Sequence, residues 1–309
     1  MTASHRMTPL KADSCLVLVA AIWGMGFVAQ RLGMDHVTPM LFTAARFGLG
    51  AIVIFLFAVS VKLFTRDRTT PPPAFNRRTI IIGGVLAGVT LFCAAGFQQF
   101  GIAETTAANA GFITGMYVVI VPALGLMIGR MPDVAAVCGA LIALLGLYFL
   151  SITTGFSMGR GDLLVLISSV FWAIHVLIIG WLAPRVPALK LNVVQFSVTA
   201  ILALGAVLIW EHIDVEKVRR ALPAILYSGI LAVAVAFGLQ TVAQKVASPT
   251  RTAVFLSMEA LFAAVAGFML LNEVFTLRQS FGGALMLVGI LVTILLSRNQ
   301  SGNAGDTTG

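Results

Sequence analysis

Ten runs of roughly twenty apolar residues, separated by short polar connectors, dominate this sequence of 309 residues. They fall at 14–32, 39–61, 79–100, 103–128, 132–151, 162–183, 189–210, 222–244, 250–271 and 276–297. As an α-helix rising about 1.5 Å per residue, each is long enough to cross the ~30 Å hydrocarbon core of a bilayer. None alternates polar and apolar residues with a period of two, which excludes a membrane β-barrel. The competing reading is a soluble all-α bundle. With 59% hydrophobic and only 10% charged residues, however, the chain has too little polar surface to coat a globule in water. The fold class expected is an all-α membrane protein of ten transmembrane helices.

The connectors set the orientation. Lys and Arg fall thirteen to six in favour of the side that holds both termini, with Arg46 inside a span. The positive-inside bias therefore predicts cytoplasmic N- and C-termini. The net charge of +8 reads as this topology signal rather than as a nucleic-acid surface. The start, with Arg6 and Lys11 ahead of a long apolar run, resembles a secretory signal. It has no A-x-A site and nine more spans follow, so it reads as an uncleaved first helix. Residues 1–13 and the Gly-rich 298–309 are expected as cytoplasmic tails, the second disordered. Three scattered cysteines and four scattered histidines show neither HExxH nor CxxC spacing, so no metal site and no cofactor is expected.

The two halves of the chain share spacings. Asp13 stands ten residues before Trp23, and Asp162 ten before Trp172, a shift of 149 that also sets Arg46 against Gln195. Gly84, Gln99 and Thr105 match Gly229, Gln244 and Thr250 at a shift of 145, and Gly139 and Gly146 match Gly282 and Gly289 at 143. An ordered set with this little drift indicates a duplication, 14–151 followed by 162–297. Each unit has five spans. Five is odd, so the second copy enters the membrane from the opposite side, and the repeats are inverted about an axis in the membrane plane.

The stretch QKVASPTRTAVFLSMEALFAAVAGFMLLNEVFTLRQSFGGALML, Gln244 to Leu287, resembles the second-half signature of EamA-type carriers of the drug/metabolite transporter superfamily. TTAANAGFITGMYVVIVPALGLMIGRMP, Thr105 to Pro132, is a weaker copy in the first half. The resemblance implies a ten-helix bundle of two inverted repeats in a bacterial inner membrane, exporting or exchanging small metabolites such as amino acids. One departure stands out. The family's Glu-Pro pair is Glu259-Ala260 here, with Met116-Tyr117 at the matching place and Pro122 further along, so no kink is expected in the ninth helix.

Polar and aromatic residues inside apolar runs are the candidate site. Glu259, near the middle of the ninth span, must face a cavity, find a partner or stay protonated, and it is a candidate for proton coupling or for a substrate amine. Phe255 shares its face. His175, three residues after Trp172, is the second proton-coupling candidate, against the alternative of a satisfied core histidine. Trp23, Phe27 and Gln30 form a stripe on the first helix that the repeat mirrors at Trp172. Gln99, Asn109, Gln240 and Gln244 need partners in an apolar medium, as does Gln98, and either interhelical bonds or a substrate path would supply them. Tyr117, on Asn109's face, adds a hydroxyl and a ring. Arg46 must snorkel or meet an anion, and a carboxylate is one candidate.

The function expected is secondary transport of small metabolites, aromatic or hydrophobic amino acids above all, by alternating access. The partners are a small-molecule substrate and the lipid bilayer, with protons as a coupling ion and a monomer as the assembly; nucleic acid is not a partner. No Walker A motif is present, so ATP is not the drive. The alternatives are a channel or scaffold, or an intramembrane enzyme built on Glu259 and His175.

Overall fold

The helices start where the sequence supplies caps. In the computed structural model, which describes residues 7–64, 76–151, 158–271 and 276–303, the Thr8 hydroxyl accepts from Lys11 N just ahead of Pro9. Asn76 accepts from Arg78 N, Thr106 from Asn109 N, Ser248 from Arg251 N, and Asp214 from Glu216 N and Lys217 N. Each cap satisfies a backbone donor that has no partner within its own helix. Thr106 and Ser248 lie 142 residues apart and do the same job in the two halves.

The elements are α1 (Pro9–Met34), α2 (Pro39–Phe64), α3 (Arg77–Glu104), α4 (Ala107–Gly115), α5 (Tyr117–Met127), α6 (Val134–Ser151), α7 (Arg160–Leu182), α8 (Ala188–Trp210) and α9 (Val215–Leu226). A π-helical stretch, Tyr227–Phe237, leads into α10 (Gly238–Ala243), followed by α11 (Pro249–Leu256), α12 (Glu259–Leu271) and α13 (Leu277–Asn303). The fourth span is α4 with α5, the eighth is α9 through α10, and the ninth is α11 with α12. Nine spans among the described residues are long and apolar enough to cross a membrane. The fifth is shorter, with its apolar part at Val134–Leu150. α1 starts inside the segment read as the N-terminal tail, and α13 runs six residues past 297. Residues 304–309 of the C-terminal tail lie outside the described residues.

Helix packing follows the inverted repeat. α6 packs on α13 and α2 on α8, pairs that map onto themselves when the halves are exchanged. α3 packs on α7 as the eighth span packs on α1, and α1 packs on the ninth span as the fourth packs on α7. Four glycines matched by the repeat, Gly139, Gly146, Gly282 and Gly289, meet where α6 crosses α13. A Cβ on Gly139 would lie 2.6 Å from Gly289 O, and one on Gly282 would lie 2.6 Å from Gly146 O. The two contacts exchange under the pseudo-two-fold, so α6 and α13 cross backbone to backbone at symmetric points, an approach only small residues allow.

Glu211, at the end of α8, accepts from the Thr38 hydroxyl at 2.6 Å and from Leu41 N at 2.8 Å, which caps α2 from the other repeat. Near the opposite end, the Arg251 guanidinium donates to both oxygens of Asp13, at 2.9 and 2.7 Å, fastening α1 to α11. The equivalent acid in the second half, Asp162, accepts the Thr105 hydroxyl at 2.6 Å and Gly159 N at 3.0 Å and has no ion pair among the described residues.

The ninth span is broken despite its missing proline. Around Ser257 and Met258 the backbone turns to three-residue spacing, with Met258 N donating to Phe255 O and Ala260 N to Ser257 O. The Ser257 hydroxyl also donates back to Val254 O at 2.8 Å. The span thus breaks without a proline, which corrects the expectation of an unkinked ninth helix. The fourth span breaks at Met116, where Met116 N donates to Ile113 O.

Candidate functional site

The two breaks decide what faces the centre of the bundle. Tyr117 and Glu259 are the first residues of α5 and α12, so each enters from the start of a half-helix. A carboxylate at a helix start is favoured by the exposed N–H groups and the dipole, and discontinuous helices of this kind form midplane sites in other carriers. Glu259 is buried beside Tyr117, and neither its Oε1 nor the Tyr117 hydroxyl has a hydrogen-bond partner among the described residues.

Around them lies a cavity between the repeats. The first half contributes Trp23, Phe27 and Gln30 from α1, Arg46 and Phe47 from α2, Gln98 from α3, Thr114 from α4 and Tyr117 from α5. The second half contributes Trp172 and Val176 from α7, Ala232, Val233 and Phe237 from the π-helical stretch, Gln240 from α10, Leu256 from α11 and Glu259 from α12. Rings form much of its wall. Phe237 lies 4.7 Å from Trp23 and 6.0 Å from Trp172, and the two tryptophans are 6.3 Å apart, in the range of favourable aromatic contact.

The cavity volume is ≈ 50 Å³. A site for a drug-sized ligand needs about 300–1,000 Å³, and a water needs about 10–15 Å³. In this conformation the rings leave room for a few waters and not for a drug-sized molecule.

Equivalent tryptophans are held differently. Trp23 Nε1 donates to Ala232 O at 2.9 Å, a carbonyl of the π-helical stretch, and the Tyr227 hydroxyl donates to Ile22 O at 2.8 Å. Trp172 Nε1 is buried with no partner. Arg46 and Gln195 also correspond, and each is held by the preceding span of its own half. Arg46 Nη1 donates to Gln30 Oε1 at 2.6 Å, and Gln195 Oε1 lies 2.9 Å from His175 Nε2. Gln195 then donates to Asn192 Oδ1, which also accepts from Thr241.

Of the residues the sequence put forward, Trp23, Phe27, Gln30, Arg46, Gln98, Tyr117, Trp172, Gln240 and Glu259 come together on the cavity wall. Five lie outside it. His175 is fully buried in the Gln195 network behind Trp172 and Phe237, and Gln99 is buried with both amide atoms unpartnered. Gln244 donates to Val176 O at 3.0 Å, and Phe255 packs under the Arg251 guanidinium. Asn109 is partly exposed near the start of α4. Among the lining residues not put forward, Phe237 matters most, because it contacts both Trp23 and Trp172. Its only sequence signal is its position three residues before Gln240, and the π-helical stretch shifts the register that would have shown it.

Comparison with known proteins agrees with the duplicated architecture. The model of the EamA-like transporter family matches twice, over residues 10–152 and 159–295. An uncharacterized transporter of Archaeoglobus fulgidus is 30% identical over 288 residues, spanning 93% of this chain and 86% of that protein. The uncharacterized transporter YoaV of Bacillus subtilis is 21% identical over 292 residues, spanning 92% and 97%. A crystal structure superposes with a TM-score of 0.70 at 21% identity, covering 92% of this chain and 98% of that one, a likeness of fold alone. Two copies of the family unit spanning nearly the whole chain, in a bundle of apolar membrane-length helices, place this chain in the EamA-like transporter family.

Proposed function

We propose that this transporter exports or exchanges small amphipathic metabolites, aromatic or other hydrophobic amino acids above all, across the inner membrane by alternating access. The observation that carries the reading is the central cavity, built by both repeats from stacked rings with a few amides and one buried acid among them. Rings suit an apolar side chain, Glu259 suits an amine, and amides suit the polar remainder. The charge distribution of the connectors supports cytoplasmic termini, and with them a cytoplasmic Asp13–Arg251 pair.

Alternating access gains support from the unequal tryptophans. Inverted repeats can exchange conformations. In the exchanged state Trp172 would take the bonded role on α3 and Trp23 would be released. Trp23→Phe should therefore destabilise the present conformation more than Trp172→Phe, by about 1 kcal/mol for the lost hydrogen bond. Thermal unfolding in detergent reads the difference, and equal losses would remove this assignment.

Counterflow in proteoliposomes tests the whole reading. Unlabelled internal phenylalanine should accelerate entry of labelled phenylalanine, which a channel or scaffold would not do. If Glu259 couples protons, Glu259→Gln should retain exchange while losing its dependence on pH. An unchanged pH profile would take that role away.

A further inference from the structure

The cavity wall that carries the acid Glu259 also carries a cation, Arg46, that makes no ion pair among the described residues. Arg46 is 4% exposed, and no carboxylate of the described residues lies within 4 Å of it. Gln30 takes Nη1, and Gln30 is itself anchored by its own donation to Gly26 O at 3.2 Å. The rings of Phe42 and Phe47 lie 5.7 and 5.1 Å from the guanidinium carbon. Nε and Nη2, which share the remaining edge, are buried without a partner. An unpaired charge at this depth is costly, and snorkelling would relieve it if Gln30 did not hold the head group in place. Two parallel N–H groups on one planar edge are the geometry that binds a carboxylate through both oxygens.

We infer that Arg46, aimed by Gln30, is the carboxylate site of the cargo, and that it sets specificity for acids over their amides and amines. This rests on the central cavity being the cargo site. The guanidinium edge takes the carboxylate while the cargo's apolar part lies against the rings. The other repeat has the neutral Gln195 at the equivalent position, already engaged by His175. Only one half thus offers a fork, and the cargo binds in one orientation with its carboxylate towards α2.

Thermal stabilisation of the purified protein by phenylalanine, phenylalaninamide and alanine tests the assignment. Phenylalanine should bind at least ~10-fold more tightly than its amide, as expected for a lost charge-assisted pair. Arg46→Gln should erase that preference, and Arg46→Lys should keep part of it. Without ligand, Arg46→Gln should be at least as stable as the natural protein, because it removes an unpaired buried charge; a purely structural arginine would be missed. Equal affinity for acid and amide in the natural protein, or a preference that survives in Arg46→Gln, overturns the clamp. Since the first comparison needs no variant, a poorly folding Arg46→Gln leaves it decisive. Equal affinity for alanine and phenylalanine, with the acid preference intact, removes the aromatic-cargo reading and leaves the clamp standing. No response to any of the three sinks both.

Discussion

Gly282→Val should disrupt the seating of α13 on α6 and cost at least ~3 kcal/mol, the upper part of the range for overpacking a close contact. The new side chain would begin against the backbone of Leu150 and 2.6 Å from Gly146 O. Flexible side chains can yield, but here the obstacles are backbone atoms of the facing helix, so the helices themselves must separate. The expected readout is a sharp fall in monodisperse yield and in unfolding temperature in detergent. Gly205→Ala is the matched control, because nothing lies within 4 Å of the added carbon. If both variants unfold alike, the crossing is not the contact that joins the two repeats.

Breaking the Asp13–Arg251 pair should have a comparable cost. The partners are 7% and 15% exposed, and removing one leaves the other's charge half-sheltered beside the Phe255 ring. Such one-sided removal costs about 3–5 kcal/mol in buried pairs, and the lower figure suits this partly open site. If the conformation with α1 latched to α11 alone has the pair, that energy also shifts the balance between conformations, by about 100-fold for ~3 kcal/mol. A cysteine introduced by Leu256→Cys lines the cavity. In a chain without its natural cysteines, this thiol should react with a water-soluble maleimide at least ~10-fold faster once Asp13→Asn is added. The exchanged pair, Asp13→Arg with Arg251→Asp, should restore slow labelling. An unchanged rate would mean that the pair stabilises the fold without biasing access.

Much of this architecture can be read from residues alone, and the limits have a physical origin. Span length and missing charge mark the helices because lipid demands both. The duplication is visible because it preserved Trp23 against Trp172 and the glycines at the α6–α13 crossing. Facing is another matter. In a soluble helix the apolar stripe points inward, but a lipid-exposed face is as apolar as a buried one, so periodicity cannot separate Gln98 from Gln99 or Gln240 from Gln244. In each pair the first lines the cavity and the second does not. Breaks in the spans are hidden for a related reason. Proline is the readable signal, yet the ninth span breaks at Ser257 and Met258 with no proline there, and the fourth breaks at Met116, ahead of Pro122. The π-helical stretch adds a further offset, and with it Phe237 escapes notice.

The tightness of the aromatic plug has an electrical side. A void of ≈ 50 Å³ holds on the order of three to five waters, too few to string a conducting file from one aqueous compartment to the other. In this conformation the centre of the bundle therefore offers an ion no continuous hydrated path, and the aromatic plug is a seal against charge as well as against solute.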